Sequence, residues 1–383
     1  MSAQATVLLT AVFAALACSL VGTFLILRRM AMMADAISHA ILPGIVLAYF
    51  VANGPNLIAG VAGATLAGLT TVVLVEFLER TGLVKSDAAI GIVFPALFAL
   101  GTFFVSRFFS HVHLDVDAVL FGEIAFAPFD RLIVGGRDLG SQPLIVLAVL
   151  TVMNLLLVTL FYKEFKLATF DPGLAAALGF SPIVIHYALM AAVSMTTVGA
   201  FAAVGAILVV ALLIVPAATA YLLTDRLDLM ILLSAACGAA SAVLGFYSAV
   251  AFDVSISGMM AVSAGILFTL AALLSPSHGL VARTLQRRGL REQFAIELLT
   301  LHLHHHETAS ERSTALAGEL NWDSSWLNRV TQRGVERGWL WTDETDVGLT
   351  PQGREAARQH SMSIDQMSKI APPAPAHPTI TPA

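Results

Sequence analysis

Asp35 and His39 are the residues whose type and spacing best suit chemistry in this sequence. They stand four positions apart in the run Arg28-Arg29-Met30-Ala31-Met32-Met33-Ala34-Asp35-Ala36-Ile37-Ser38-His39-Ala40. That spacing puts both side chains on one face of a helix. The surrounding stretch is apolar enough to enter a membrane, where an ionisable group is costly and usually faces a pore, a partner or an ion. A carboxylate beside an imidazole is half of a site for a first-row divalent metal. The plainer reading is an aspartate near a helix start and a histidine satisfied by packing. Pro43-Gly44 weighs against it, because these residues loosen or kink the helix beside the pair. Irregular backbone at membrane depth is tolerated where it lines a cavity or is buried in protein.

Other chemically capable residues are weaker candidates. Asp87 and Asp253 could border an ion pathway, although helix capping is the stronger reading for each; Glu76 and His186 read as interface-level residues. Cys18 and Cys237 lie in apolar runs and read as small packing residues rather than a disulfide or metal pair. In the segment Phe170-Asp171-Pro172-Gly173-Leu174-Ala175-Ala176-Ala177-Leu178-Gly179, Asp171 suits an N-cap, Pro172 the first helical position and Gly179 the C-terminal cap. A two-turn helix follows, in a cytoplasmic loop, with Leu174, Ala177 and Leu178 on an apolar face that calls for a partner groove or for lipid. None of the lysines Lys85, Lys163, Lys166 and Lys369 follows a glycine, so the phosphate-cradling loop ending Gly-Lys-Ser/Thr is absent. ATP hydrolysis by that route is excluded, and an ATP-driven process would need its motor on another polypeptide.

The elements that must position these residues are membrane spans. Of 383 residues, 57% are hydrophobic and 12% charged, against about 25% charged in a soluble domain. Roughly half of all Asp, Glu, Lys and Arg fall after Ser275, which divides the chain into a membrane domain and a soluble tail. A span needs about 20 apolar residues, and candidates lie at roughly 5–27, 35–52, 56–78, 88–109, 143–162, 183–199, 201–223, 228–251 and 257–275. The first has no preceding Lys or Arg and so lacks the basic region of a cleaved signal peptide. Nine spans place Arg28/Arg29, Arg80/Lys85, Lys163/Lys166, Arg226 and Arg283/Arg287/Arg288 on one side, which by the positive-inside rule is cytoplasmic. The N-terminus is then outside and the tail inside, with Arg131 and Arg137 a mild violation in the 110–142 loop. Eight spans are the alternative, through the pair that meets near Gly199. Gly60, Ala64 and Gly68 form a small-residue stripe suited to helix packing within the chain or to a subunit contact.

The sequence resembles the membrane permeases of the zinc/manganese/iron ABC importer family. The hallmark is Arg28-Arg29-Met30 through Asp35-Ala36-Ile37-Ser38-His39-Ala40-Ile41-Leu42-Pro43-Gly44. Supporting segments, in order, are Ser86-Asp87-Ala88-Ala89-Ile90-Gly91, His113-Leu114-Asp115-Val116-Asp117 with Phe121-Gly122-Glu123, Val204-Gly205-Ala206, and Leu213-Ile214-Val215-Pro216-Ala217. The resemblance implies a bacterial plasma (inner) membrane protein that works as a permease dimer (homo- or heterodimer) with a separate ATPase subunit and an extracytoplasmic metal-binding protein. It implies that Asp35 and His39 belong to the translocation path and that Asp171–Gly179 is the coupling helix docking into the ATPase. The transported Mn²⁺, Zn²⁺ or Fe²⁺ is cargo, and no permanently bound cofactor is expected.

Beyond the last span the texture becomes amphipathic and charged. A linker at 276–289 is expected, then a domain at 290–362 and a disordered tail at 363–383. Helices are expected at 290–306 and Ser313–Leu320, with a third capped by Asp323 and ended by Gly338. Two strands follow at Trp339–Thr342 and Val347–Thr350, and a last helix starts near Pro351. This order resembles a winged helix of the diphtheria-toxin-repressor type, with a core rich in Trp322, Trp326, Trp339 and Trp341. Arg329, Arg333 and Arg337 make a basic stripe that suits DNA phosphates, anionic lipid or plain solvent, and the membrane tether disfavours nucleic acid. The cluster His302, His304, His305 and His306 invites regulatory metal binding, although consecutive helical residues point in different directions. The expected fold class is thus an all-α polytopic membrane protein of about nine transmembrane helices with a small α+β cytoplasmic domain. The leading function is the permease subunit of a divalent-metal importer, manganese first; the alternative is a membrane-tethered, metal-responsive transcription regulator.

Overall fold

Small residues set the centre of the membrane unit. In a computed structural model, which describes residues 2–52, 54, 56–108, 124–134, 137–275, 279–305, 311–343 and 346–359, helix α1 (Ala3–Leu27) is the most enclosed of the spans. Its Ala11, Ala14, Ala15, Ala17 and Cys18 are fully buried. It packs against α6 (Gln142–Leu160), α9 (Pro182–Val204), α10 (Ala206–Leu223) and α11 (Leu227–Phe252). A Cβ added at Gly22 would lie 1.9 Å from the backbone oxygen of Leu213, so only glycine lets α1 and α10 meet there. Buried polar side chains tie the same helices together. The Asn154 amide on α6 donates to the Ala17 carbonyl at 3.0 Å and to Thr196 Oγ1 on α9 at 2.7 Å.

The second expected span is broken. α2 (Ala31–Ala40) and α3 (Leu42–Ala52) meet at an angle of 41°. Pro43 has no amide hydrogen to give to the carbonyl of His39 four residues earlier, so the helical ladder cannot run through this point. α3 crosses α4 (Leu57–Arg80) at Gly44 and Gly63, where a Cβ on Gly63 would lie 2.4 Å from the Gly44 oxygen. The stripe Gly60, Ala64 and Gly68 acts partly as expected: Ala64 is buried, and a Cβ on Gly68 would strike the Ser194 hydroxyl of α9, whereas Gly60 faces open space. α5 (Ser86–Phe108) packs on α2, α3 and α4.

A 3-10 turn at Ile124–Phe126 and an antiparallel hairpin, β1 (Arg131–Val134) and β2 (Arg137–Ser141), precede α6. Arg131 pairs with Asp138 at 2.9 Å, which neutralises one of the two arginines that strained the charge rule. Helices α7 (Tyr162–Phe170) and α8 (Pro172–Ala177) lie between α6 and α9. The break between α9 and α10 falls at Gly205, φ +80°, not near Gly199 as expected. Gly199 is instead a packing site, where a Cβ would lie 2.3 Å from the Leu150 side chain. α12 (Ile256–Leu274) completes the unit. Among the described residues eight helices are individually long and apolar enough to cross a membrane, and the bent pair α2–α3 brings the number to nine if it counts as one span.

The chain divides into Met1–Val281 and Ala282–Ala383. In the second part, α13 (Leu280–His305) is followed by β3 (Glu311–Arg312), α14 (Ser313–Glu319), α15 (Ser324–Glu336), β4 (Leu340–Thr342), β5 (Asp346–Leu349) and α16 (351–359). Most of the expected linker 276–289 is therefore helical: from Leu280 it is rich in Leu, Arg and Gln, good helix formers, and contains no proline. The three strands form an antiparallel sheet in the order β3-β5-β4. The core is aliphatic rather than tryptophan-based, built from Ile296, Leu299, Leu303, Leu316, Leu327, Val330, Leu340 and Val347, with Trp322, Trp326 and Trp339 packed at its edge and Trp341 exposed. The expected disordered segment 363–383 lies outside the described residues.

Candidate functional site

Asp35 and His39 lie one turn apart on α2, just before the break at Ile41. His39 Nε2 is 3.5 Å from Asp35 Oδ1, and the two side chains are 34% and 38% exposed respectively within the single chain. Both are surrounded on their helix by buried residues, Met33, Ala34, Ala36, Ile37, Ser38 and Ala40, so α2 is anchored while its one polar face stays open. The His39 ring rests 5.8 Å from that of Phe94 on α5, which holds the imidazole toward the carboxylate. An oxygen and a nitrogen ligand are thus presented together. A groove of about 510 Å³ adjoins the break, lined by Pro43, Gly44, Leu47, Gly63, Leu66 and Leu97 among others, and it carries no ionisable group. The ionisable donors lie at the pair and none lines that groove.

The weaker candidates stay apart from this pair. Asp87 is exposed in the first turn of α5, a favourable place for a negative charge. Asp253 is the left-handed C-cap of α11, φ +54°. Among the described residues neither joins an ion pair. His113, Asp115, Asp117 and Glu123 lie outside the described residues.

Sequence reading underrated Glu76 and His186. Glu76 on α4 accepts from Tyr187 Oη at 2.9 Å and pairs with His186 Nε2, both on α9, and lies 3.8 Å from Arg80. His186 Nδ1 lies 3.1 Å from Arg28 Nη1, and Arg28 Nε donates to Thr169 Oγ1 on α7 at 3.2 Å. A guanidinium can only donate, so Nδ1 is the acceptor and the ring proton sits on Nε2, beside the Glu76 carboxylate but without hydrogen-bond geometry to it. This chain of contacts joins the end of α1, immediately before the Asp35 helix, to α4, α7 and α9. The signal available in the sequence was the set of ionisable residues at span ends, without any indication that they converge. Glu76→Gln is expected to destabilise the solubilised protein by about 1–3 kcal/mol, since partly buried donors lose a charged acceptor. Arg80→Gln, with a side chain 71% exposed, is expected to cost less than about 1 kcal/mol. Thermal unfolding in detergent, followed by far-ultraviolet circular dichroism of the predominantly helical membrane unit, checks the contrast; equal shifts would reject it.

The segment at 171–179 folds as its residues dictate. The Asp171 carboxylate accepts the Leu174 amide at 2.9 Å, Pro172 opens α8, and Gly179, φ +87°, closes it, with the Phe180 amide returning to the Ala175 carbonyl at 3.0 Å. Ala175 is buried, whereas Leu174 and Leu178 are 48% and 61% exposed. The preceding α7 is held to α1 by Phe165, whose ring lies 5.2 Å from Phe24, and by the Thr169–Arg28 bond. α8 therefore displays an apolar face on an anchored base.

In the second part the basic stripe is engaged locally. Arg329 and Arg291 lie over the Trp326 ring at 5.5 and 5.0 Å, Arg337 lies over Trp339 at 5.8 Å, and Arg333 pairs with Glu292 at 2.7 Å. His302, His304 and His305 end α13; His306 lies outside the described residues.

Apolar helices packed through small residues, with a carboxylate–imidazole pair at a broken span, define a multi-pass membrane protein. The sequence matches the ABC 3 transport family (ABC-3) over residues 2–275, and the chain belongs to that family. It is 44% identical over 357 residues to the zinc transport system membrane protein TroD of Treponema pallidum, covering 92% of this chain and 97% of TroD. It is 47% identical over 295 residues to the manganese transport system membrane protein MntD of Bacillus subtilis, covering 77% of this chain and 100% of MntD. The solved structure of PsaBC from Streptococcus pneumoniae in complex with Fab is similar at TM-score 0.62 and 32% identity, covering 75% of this chain and 96% of that one.

Proposed function

We propose that this chain is the membrane-spanning permease subunit of an ATP-binding-cassette importer of a divalent transition metal, manganese first, with zinc or iron as alternatives. The observation that carries the reading is the Asp35–His39 pair on the open face of α2 in a chain of the ABC 3 transport family. Two such chains would bring two carboxylates and two imidazoles to one path, a donor set that suits Mn²⁺, Zn²⁺ or Fe²⁺. Energy comes from a separate ATPase subunit, since no Gly-Lys-Ser/Thr loop is present, and metal arrives from an extracytoplasmic binding protein. The exposed Leu174 and Leu178 on the anchored α8 support its role as the coupling helix. Counting α2–α3 as one of nine crossings puts the N-terminus outside and the C-terminal part in the cytoplasm, a reading supported by the basic residues and by the neutralised Arg131.

We read the C-terminal part as a winged helix, a reading supported by its order α-β-α-α-β-β with β5 central in the sheet. The three arginines of its stripe contact Trp326, Trp339 and Glu292, which disfavours DNA as a partner of that stripe and with it the transcription-regulator alternative. An accessory role is supported by the match to the whole of MntD with 295 residues of this chain. Deleting the gene tests the main reading. Cellular manganese, measured by mass spectrometry in metal-poor medium, is expected to fall several-fold and to recover on complementation. Unchanged manganese, zinc and iron would reject it.

A further inference from the structure

We propose that the C-terminal part carries a metal site of its own, formed by His302, Glu311 and Glu319, for a first-row divalent cation. The three residues come from the last turn of α13, from β3 and from the last residue of α14. His302 Nε2 lies 3.7 Å from Glu311 Oε2 and 3.2 Å from Glu319 Oε2, and all three ligand atoms lie within 4.8 Å of one another. Ligands about 2.1 Å from a tetrahedral ion stand about 3.4 Å apart, so this spacing accepts an ion without rearranging the backbone.

Charge and burial agree with the geometry. Two carboxylates converge on one imidazole nitrogen, and a divalent cation neutralises them. The side chains of His302 and Glu311 are 17% and 15% exposed, whereas Glu319 is 53% exposed. The ion is thus held on a buried base and reached from solvent past Glu319. Three protein ligands leave a coordination position for water, the pattern of an exchangeable site rather than a closed structural one. The imidazole favours Zn²⁺, Mn²⁺ or Fe²⁺ over Mg²⁺ and Ca²⁺. The histidine run is not the ligand set: only His302 among the described histidines of α13 joins such a group. His304 and His305 occupy other faces, and the remaining ligands come from β3 and α14. A bound ion would clamp the end of α13 to β3 and α14, so the order of this part would depend on metal concentration. The inference does not depend on the importer reading, because none of its ligands lies in Met1–Val281.

The test uses the full chain in detergent, stripped with EDTA, in an Asp35→Ala/His39→Ala background that removes the membrane pair. Equilibrium dialysis against Zn²⁺ and against Mn²⁺, read by mass spectrometry, is expected to give one ion per chain at micromolar free metal. His302→Gln should weaken binding by about tenfold or more, and Glu319→Gln, at an exposed position, should weaken it with tryptophan fluorescence unchanged. His304→Gln and His305→Gln should bind as the parent does. No binding in the parent below 100 µM, taken as roughly the weak end of a regulatory site, would overturn the site. Binding unaltered by both His302→Gln and Glu319→Gln would also overturn it, and would leave the trio as an imidazole held between two carboxylates.

Discussion

Replacing Asp35 or His39 by alanine is expected to abolish metal uptake while the protein still inserts and accumulates normally. The two side chains are exposed to about the same degree and lie at 3.5 Å, so their mutual attraction contributes only about 0–1 kcal/mol to the fold. The buried residues that anchor α2 are on its other faces and are untouched. In the proposed path, by contrast, an ion stripped of its water would lose one of its protein ligands. Removing one partner of a desolvated charge contact costs about 2–5 kcal/mol, and about 3 kcal/mol is already a hundredfold in rate. Uptake of radioactive manganese into cells, normalised to membrane protein, should therefore fall to about 1% of the parent's or less. Wild-type rates in either variant at equal expression would remove the pair from the path.

Leu174→Asp or Leu178→Asp is expected to uncouple the permease from its ATPase. Both positions are on the exposed face of α8, while the residue that seats the helix, Ala175, is buried and unaltered. A carboxylate carried into an apolar groove without a partner costs several kcal/mol, which lowers association by about a hundredfold or more. Co-purification of the ATPase should be lost, and with it metal-stimulated ATP hydrolysis in reconstituted vesicles. Because Asp171 and Gly179 still cap the helix, α8 itself should persist. Full stimulation by either variant would mean that another element transmits the stroke.

Much of the architecture is legible in the amino-acid sequence, because hydrophobic runs and helix ends are local signals. Each expected span corresponds to a helix or to the bent pair, and the cap residues of α8 act as their types predict. Gly205 escaped because the whole stretch from Pro182 to Leu223 is apolar with glycines at several points, and hydropathy does not distinguish a glycine that turns the chain from one that packs against Leu150. In the C-terminal part the four tryptophans suggested a core, yet the core is aliphatic. A large indole is more easily placed at an edge beneath arginine, as Trp326 and Trp339 are.

A multi-pass membrane protein with a polar pair at positions 35 and 39, a short capped helix at 171–179 and a charged C-terminal part can be read from the residues alone. Each of these follows from residues within a few turns of one another, through hydropathy, four-residue spacing and cap chemistry. Long-range packing brings Glu76 to His186 and Tyr187, Arg28 to both His186 and Thr169, and His302 to Glu311 and Glu319 rather than to its neighbouring histidines. These contacts join side chains from different elements. In the membrane unit, the contact of Glu76 on α4 with His186 and Tyr187 on α9 depends on how close these two helices approach, as at Gly68, where an added carbon would strike the Ser194 hydroxyl.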